Sequence, residues 1–290
     1  MIWPHASKKN PCPICGATDW CSFGDKSVLC RRAESDRPHY DRGGSLDGWY
    51  HFDGDAKPIF KAPAKFIPPS TFNLSEFLAV QSQYSTDRIA KLAANLNVSV
   101  ESLQELGTCW SSRHNAFAFP MRDGNGAIVG ARMRNSSGLK WAWDGSNGSA
   151  IFLPMIAAAD VFELKYKDVL FLPEGPTDTA AFRSIGLLAW GRPNCNSGVE
   201  QILSLMKQHQ WMQFIKRVVV VSDNDEIKTR PDGSEWRPGY DGALRLASAI
   251  RLPHTVWMTP SPHKDVRQFV KAGATADLIM SMVNKKIWTR

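Results

Sequence analysis

Three patterns of apolar and polar positions follow one another along the chain, and each predicts a different kind of structure. From 168 to 260, short unbroken apolar runs alternate with stretches of helical periodicity. Val169-Leu-Phe-Leu172, Leu187-Leu-Ala-Trp190, Arg217-Val-Val-Val-Val-Ser222 and Thr255-Val-Trp-Met258 read as strands. Helices are expected over 177–185, near 199–208 and near 241–250. Strands that are apolar on both faces and alternate with helices form a parallel sheet covered on both sides. The fold class is therefore α/β.

Between 73 and 153 the pattern is mixed. Leu74, Phe77 and Leu78 are helically spaced, Ser85-Thr86-Asp87 opens a helix bearing Ile89, Leu92, Ala93 and Leu96, and a helix starting at Ser99 stops at Gly107. The run is like a helix-turn-helix, but its second helix carries Glu101 and Glu105 without arginine or lysine. A DNA-reading helix needs donors for phosphates and base edges, so a small helical subdomain is the expectation. From Ala116, strands 117–121, 127–130, 140–143 and 151–153 with Gly-Asn turns predict an antiparallel sheet.

The first 56 residues are polar and turn-rich. Ser22-Phe23 and Val28-Leu29-Cys30 flank a Gly-Asp turn and predict a hairpin. Trp20 is expected to pack on it, with Trp49, Tyr50 and Phe52 as further anchors, and one of Trp141 and Trp143 is expected to face the core. Prolines at 58, 63, 68 and 69 exclude helix or central strand, so 57–72 reads as a semi-rigid linker.

Composition narrows the classes. The chain has 290 residues, 43% hydrophobic and 22% charged, an ordinary globular balance that suggests about two domains. No apolar run approaches the ~18 residues of a membrane span, and the start lacks a signal-peptide core. A cytoplasmic protein without a membrane partner is expected. The net charge of +7 is uneven: residues 1–60 sum to zero, 107–150 to +3, 151–225 to −1 and 226–290 to +5. Such a balance points to a polyanionic partner.

Four of the six cysteines, Cys12, Cys15, Cys21 and Cys30, fall within 19 residues. In a chain without secretion signals this is a metal site rather than a disulfide pair. Cys12-x2-Cys15 presents two thiolates from one turn, and Cys21 and Cys30 complete a tetrahedron suited to one structural Zn²⁺. Ala33 stands where a second knuckle would place cysteine, so His39 is an alternative to Cys21 as fourth ligand.

A second constellation follows the apolar strands. Strand 169–172 runs into Pro173-Glu174-Gly175-Pro176-Thr177-Asp178, and strand 218–221 into Ser222-Asp223-Asn224-Asp225. Carboxylates at the carboxyl ends of parallel strands lie where open α/β sheets bind ligands, and several together suit Mg²⁺ or Mn²⁺.

These two acidic segments resemble the Toprim domain shared by primases, topoisomerases and some nucleases. Pro260-Ser-Pro-His-Lys264-Asp265-Val266-Arg267, after strand 255–258, is similar to the Lys-Asp segment of phage-type primases. Ala131-Arg132-Met133-Arg134-Asn135 with Gly138-Leu139-Lys140 resembles the basic strands of their amino-terminal subdomain, and the cysteine-rich head resembles their zinc module. The order looks like the primase part of bacteriophage primase-helicases or of a mobile-element primase. It divides the chain into a small four-cysteine zinc-ribbon module (1–56), linker (57–72), α+β subdomain (73–165) and Toprim parallel-sheet α/β domain with carboxy-terminal helices (166–290).

The resemblance implies a DNA primase, a nucleotidyltransferase making short RNA primers on single-stranded DNA from ribonucleoside triphosphates by two-metal chemistry. It makes Glu174, Asp223 and Asp225 catalytic, holding one or two Mg²⁺ or Mn²⁺ with support from Asp178 and Asp265. It puts Arg132, Arg134, Lys140, Arg113 and Lys264 on template or nucleotide. It implies a replicative helicase in trans, in the cytoplasm of a bacterial host cell. Two departures stand out. Residues 226–238 read as an insert, expected to be a surface loop, and the absence of a Gly-Lys dipeptide removes any Walker A loop and helicase motor. The rival readings are a Toprim-type metal-dependent nuclease and a non-catalytic zinc- and DNA-binding replication accessory protein.

Overall fold

The computed structural model describes residues 4–24, 27–40, 46–52, 71–83, 85–229 and 233–289. The expected linker lies outside the described residues apart from Thr71 and Phe72. The chain divides into two units, one from the first 69 residues with 229–234, the other from 70–228 with 235–290.

In the first unit, β1 (Ser22–Phe23), β2 (Ser27–Cys30), β3 (Pro38–Tyr40) and β4 (Leu46–Phe52) form an antiparallel sheet in the order β1-β2-β4-β3. Its interior is small: Ala6, Cys12, Cys21 and Cys30 are buried, with Ile14, Phe23 and Val28 against them. Among the described residues the interior is slight, the situation in which small modules are commonly completed by a metal. The expectation for Trp20 is corrected here. The thiols fill the space behind the hairpin, and Trp20 is 71% exposed on a backbone with φ of 62°.

The second unit opens with α1 (Leu74–Ser82), α2 (Thr86–Leu96) and α3 (Val100–Glu105). Asn73 and Ser99 cap α1 and α3 by accepting from the backbone N–H of Glu76 and Ser102. An antiparallel sheet follows, β5 (Cys109–Ser111), β6 (Ala116–Arg122), β7 (Ile128–Arg134) and β8 (Lys140–Ala142), in sequential order. Strand β6 is buried on both faces. Phe117, Phe119 and Met121 meet Ile89, Leu92 and Leu103, whereas Ala116 and Ala118 meet Phe77, Met133 and Trp143. Trp143 is thus the tryptophan that faces the core. Residues 151–153 do not extend this sheet. Ile151 bridges Arg122, while Phe152 bridges Gly191.

The remaining elements are α4 (Ala158–Phe162), β9 (Val169–Leu172), α5 (Pro176–Ser184), β10 (Leu188–Ala189), α6 (Val199–Gln208) and β11 (Arg217–Ser222). After them come β12 (Lys228–Thr229), β13 (Glu235–Trp236), α7 (Pro238–Ala249), β14 (His254–Met258), α8 (Val266–Lys271) and α9 (Ala276–Val283). Four strands form a parallel sheet in the order β10-β9-β11-β14. Alternation along each strand builds two cores. Leu170, Leu172, Val218 and Val220 pack with Ile202 and Leu205 of α6 and Ala243 and Leu246 of α7. Val169, Phe171, Val219 and Val221 pack with Ala181 and Phe182 of α5 and Ile279, Met280 and Val283 of α9. This is the three-layer α/β sandwich read from the apolar runs.

The helical segment is fastened to that sandwich. Ser99 N–H donates to Ser184 Oγ at 2.7 Å, and buried Arg183 makes a two-pronged ion pair with Glu105 (Nε to Oε2 2.7 Å, Nη2 to Oε1 3.1 Å). Among the described residues no helix is long and apolar enough to cross a membrane.

Candidate functional site

Strand order locates the acidic site. The chain leaves β9 for β10 on one side and then returns to lay β11 on the other, so β9 and β11 are neighbours and their carboxyl ends flank a topological switch point. The loop after β9 carries Glu174. Its Gly175, at φ 81°, occupies the left-handed region open to glycine and turns the chain into α5, whose first residue is Pro176. Asp178 then lies one turn in, buried. The loop after β11 carries Asp223 and Asp225, and the segment after β14 carries Lys264 and Asp265. Asn224 N–H donates to Lys264 C=O at 2.7 Å, tying these two loops together.

The carboxyl groups act on one another across the switch point. Desolvation pushes Asp223 up to about 8, and the charges of Asp178, Glu174 and Asp225 push the same way. Burial pushes Asp178 up to about 7, helped by Asp265 and opposed by Arg267, whose N–H donates to Asp178 Oδ1 at 3.0 Å. Glu174 is also raised, first by burial, with Arg192, Lys140 and Lys264 pulling it back. Asp265 caps α8 by accepting from Gln268 N–H at 2.8 Å and pairs with Arg267. Crowded oxygen ligands with raised proton affinity fit a hard divalent cation, which would replace the protons.

The basic residues separate into two groups. Lys140 acts on Glu174 and Asp178, Lys264 acts on Glu174, and half-buried Arg134 is lowered by desolvation and then by the charge of Arg267. Arg132 stands two residues from Arg134 on β7, opposite Ala142, and its buried Nε has no hydrogen-bond partner among the described residues. Arg113 is not brought to this group: it is largely exposed and pairs with Glu76. Arg134 also lines a cavity of about 360 Å³ with Arg88, Lys91, Trp110 and Asn135, in which the Arg88 guanidinium lies 4.2 Å from the Trp110 ring centroid. Arg88 and Lys91 sit on the polar face of α2, where periodicity marks them only as solvated.

The loop 191–198 follows a strand end that sequence alone places near the site, but nothing in the sequence singles out Arg192 within it. Arg192 is 1% exposed, beside the acidic loops, and its guanidinium donates to Leu172 C=O at 3.3 Å and Val221 C=O at 2.6 Å. A lone arginine in a Gly-Arg-Pro loop gives no signal of burial. The described residues of the insert lie on the surface, as expected, with β12 paired to β13 and its end tied to the acidic loop. Arg237, at its end, donates to Asn224 Oδ1 at 3.3 Å, and Gly239 at the start of α7 packs closely on the acidic loop, since a Cβ there would lie 3.0 Å from Asp225 Oδ2 and press on that carboxylate.

The thiol site has a different geometry. All four Sγ atoms, of Cys12, Cys15, Cys21 and Cys30, lie within 4.8 Å of one another. Cys15–Cys21 and Cys21–Cys30 are 3.7 and 4.0 Å apart. Tetrahedral zinc with Zn–S of ~2.3 Å requires sulfurs ~3.8 Å apart, so the set fits. Gly16 N–H donates to Cys12 C=O at 2.8 Å in the turn, and Ala33 N–H donates to Cys30 Sγ at 3.2 Å. Burial raises Cys30 to about 11, as expected of a thiol crowded by others. His39 is not in the group; its Nε2 lies 3.9 Å from Asp47. Among the described residues no other His, Cys, Asp or Glu group is gathered this tightly, the acidic site included.

No family model matches the chain, and no curated protein matches it. Solved structures are similar in fold. A DnaG primase catalytic domain bound to single-stranded DNA matches at TM-score 0.51 and 12% identity, over 72% of this chain and 77% of that one. The primase catalytic core of E. coli matches at TM-score 0.50 and 13% identity, over 74% of this chain and 79% of that one. The primase fragment of the bacteriophage T7 primase-helicase aligns with 97% of this chain and all of its own, at TM-score 0.45 and 16% identity. The neighbours at TM-score 0.50 and above are thus primase catalytic domains, and what this chain shares with them is the fold.

Proposed function

We propose that the chain is a DNA primase, a nucleotidyltransferase that joins ribonucleotides into short primers on single-stranded DNA. The observation that carries this reading is the desolvated carboxylate set at the β9/β11 switch point, on which the charges of Lys140, Lys264 and Arg267 act, with Arg134 beside Arg267. The likeness in fold to primase cores supports it. Glu174, Asp223 and Asp225 would hold one or two Mg²⁺ or Mn²⁺ ions, with Asp178 and Asp265 behind them. When bound, the ions supply positive charge against the triphosphate and the leaving pyrophosphate.

The chain's own residues do the rest. Arg132, Arg134 and Lys140 bind phosphates of template or incoming nucleotide and orient the α-phosphate toward a primer 3′-hydroxyl. Arg88, Lys91 and Trp110 continue that surface with cations and an aromatic face, the combination that suits single strands. Asp178, held by Arg267 N–H, keeps the start of α5 in register with the segment after β14. The zinc module, with its structural Zn²⁺, contributes template choice, and a replicative helicase in the cytoplasm of a bacterial host supplies the single strand in trans.

Incubation with labelled single-stranded DNA, ribonucleoside triphosphates and Mg²⁺ tests this. New oligoribonucleotides are expected, and their loss in Asp223→Ala and Asp225→Ala. Shortened DNA would instead establish a nuclease. Unchanged behaviour of both variants in activity and Mg²⁺ binding would sink the catalytic proposal.

A further inference from the structure

Arg192 connects the two loops that carry the acidic site without itself belonging to either. Its backbone extends the sheet past the end of β9: Arg192 N–H donates to Pro173 C=O at 2.8 Å and Arg192 C=O accepts from Gly175 N–H at 2.7 Å, so Glu174 is bridged directly to Arg192. The side chain runs beneath the switch point. Nε reaches Leu172 C=O, the last carbonyl of β9, and Nη2 reaches Val221 C=O, one residue before the end of β11. A planar guanidinium with donors in a fixed fork can span two strand ends in this way; an ammonium cannot.

The rest of its surroundings say why a charged group is kept there. Arg192 is 1% exposed, and Nη1 is buried without a partner among the described residues. Burying a guanidinium with an unsatisfied donor is costly, so a gain must offset it. Desolvation lowers Arg192, and the charges that oppose this most are Glu174 and then Asp223. The neighbouring backbone leaves no slack: a Cβ on Gly191 would lie 2.2 Å from Thr179 Oγ1 and 2.9 Å from Gly175 C=O.

We propose that Arg192 is a positioning residue that fixes the spacing between Glu174 and Asp223 by pinning both strand ends, and so sets the affinity of the carboxylates for a divalent ion. This rests on the metal-binding reading of the acidic site given above. The guanidinium acts through backbone carbonyls, and it reaches neither substrate nor the reacting atoms.

The test uses the full zinc-loaded chain, with Mn²⁺ as probe. Binding is followed by electron paramagnetic resonance in the wild type, Asp223→Asn, Arg192→Lys and Arg192→Gln, with thermal melting of each in the absence of Mn²⁺. Asp223→Asn should weaken Mn²⁺ in the acidic site. Both Arg192 variants should weaken it by roughly 10- to 100-fold, the usual scale for residues that orient ligands, and Lys should not rescue because it cannot bridge both carbonyls. Wild-type affinity in folded Arg192→Lys and Arg192→Gln would overturn the inference while leaving the metal site standing. Failure of Asp223→Asn to change Mn²⁺ binding would overturn the site reading itself. Should the variants not fold, the unaltered chain carries the test: the buried guanidinium's NMR signals must shift along a Mg²⁺ titration, and signals insensitive to Mg²⁺ overturn the proposal.

Discussion

The thiol and carboxylate clusters solve opposite problems. The four thiols come from 19 residues of sequence, lie within 4.8 Å of one another and occupy most of the interior of their unit. The carboxylates come from three loops between Glu174 and Asp265, meet only because strand order makes β9 and β11 neighbours, and are gathered less tightly. One site fills most of the small interior seen among the described residues of its unit. The other stands on a completed apolar sandwich. On the proposed function the contrast is that between a structural metal and a working one.

The largest effect that sharpens this contrast is removal of zinc. Structural zinc contributes roughly 10 kcal/mol or more of apparent binding free energy in modules too small to fold alone. Chelation, or Cys30→Ser, should therefore abolish protection of the amides in β1, β2 and β4, while those in β9 and β11 remain protected by their own apolar cores. Hydrogen exchange resolved by segment reads this. Persistent protection of residues 22–52 after chelation would break the comparison, because the first unit would then stand without its metal.

The carboxylate site should respond to pH in the opposite sense to an ion-paired surface. Asp178 and Asp223 bind protons more tightly in the folded chain than in the unfolded one, with folded values of about 7 and 8. Their contribution is therefore fully present below the ordinary carboxylate range and is lost as pH rises through those values. Without divalent ions the second unit should lose stability between about pH 4 and 8, by at most ~1.4 kcal/mol per pH unit for each group. Mg²⁺ should flatten the fall, and so should Asp223→Asn. Melting temperatures across that range check it; a flat metal-free profile would mean that the acids are not desolvated.

Legibility from the sequence follows the same division. The apolar runs 169–172 and 218–221 need no context to read as buried strands, and acids placed directly after them announce the site. The cysteine spacing is equally local. What stays hidden depends on space rather than pattern. Trp20 reads as a hairpin anchor, but the thiols already fill that interior. Residues 151–153 look like another strand yet make only isolated bridges, one of them to Gly191. Arg192 is hidden most deeply, since only the pairing of β9 with β11 gives its guanidinium two strand ends to hold.

The smallest predicted effect tests which cations belong to the working site. Charges that grip phosphates release counterions, so each one lost should lower the slope of log affinity against log salt by ~0.7 on single strands. Arg134 and Lys140 stand opposite each other on β7 and β8, and Lys140 acts on Glu174 and Asp178. Arg134→Ala and Lys140→Ala should each remove about one such unit from single-stranded DNA binding by the full chain. Arg113 spends its charge on Glu76 instead, so Arg113→Ala should leave both affinity and slope unchanged. Fluorescence anisotropy over a salt series measures all three. An equal loss from Arg113→Ala would show that bulk positive charge attracts the strand, and the proposal of a defined cationic wall beside the carboxylates would fall.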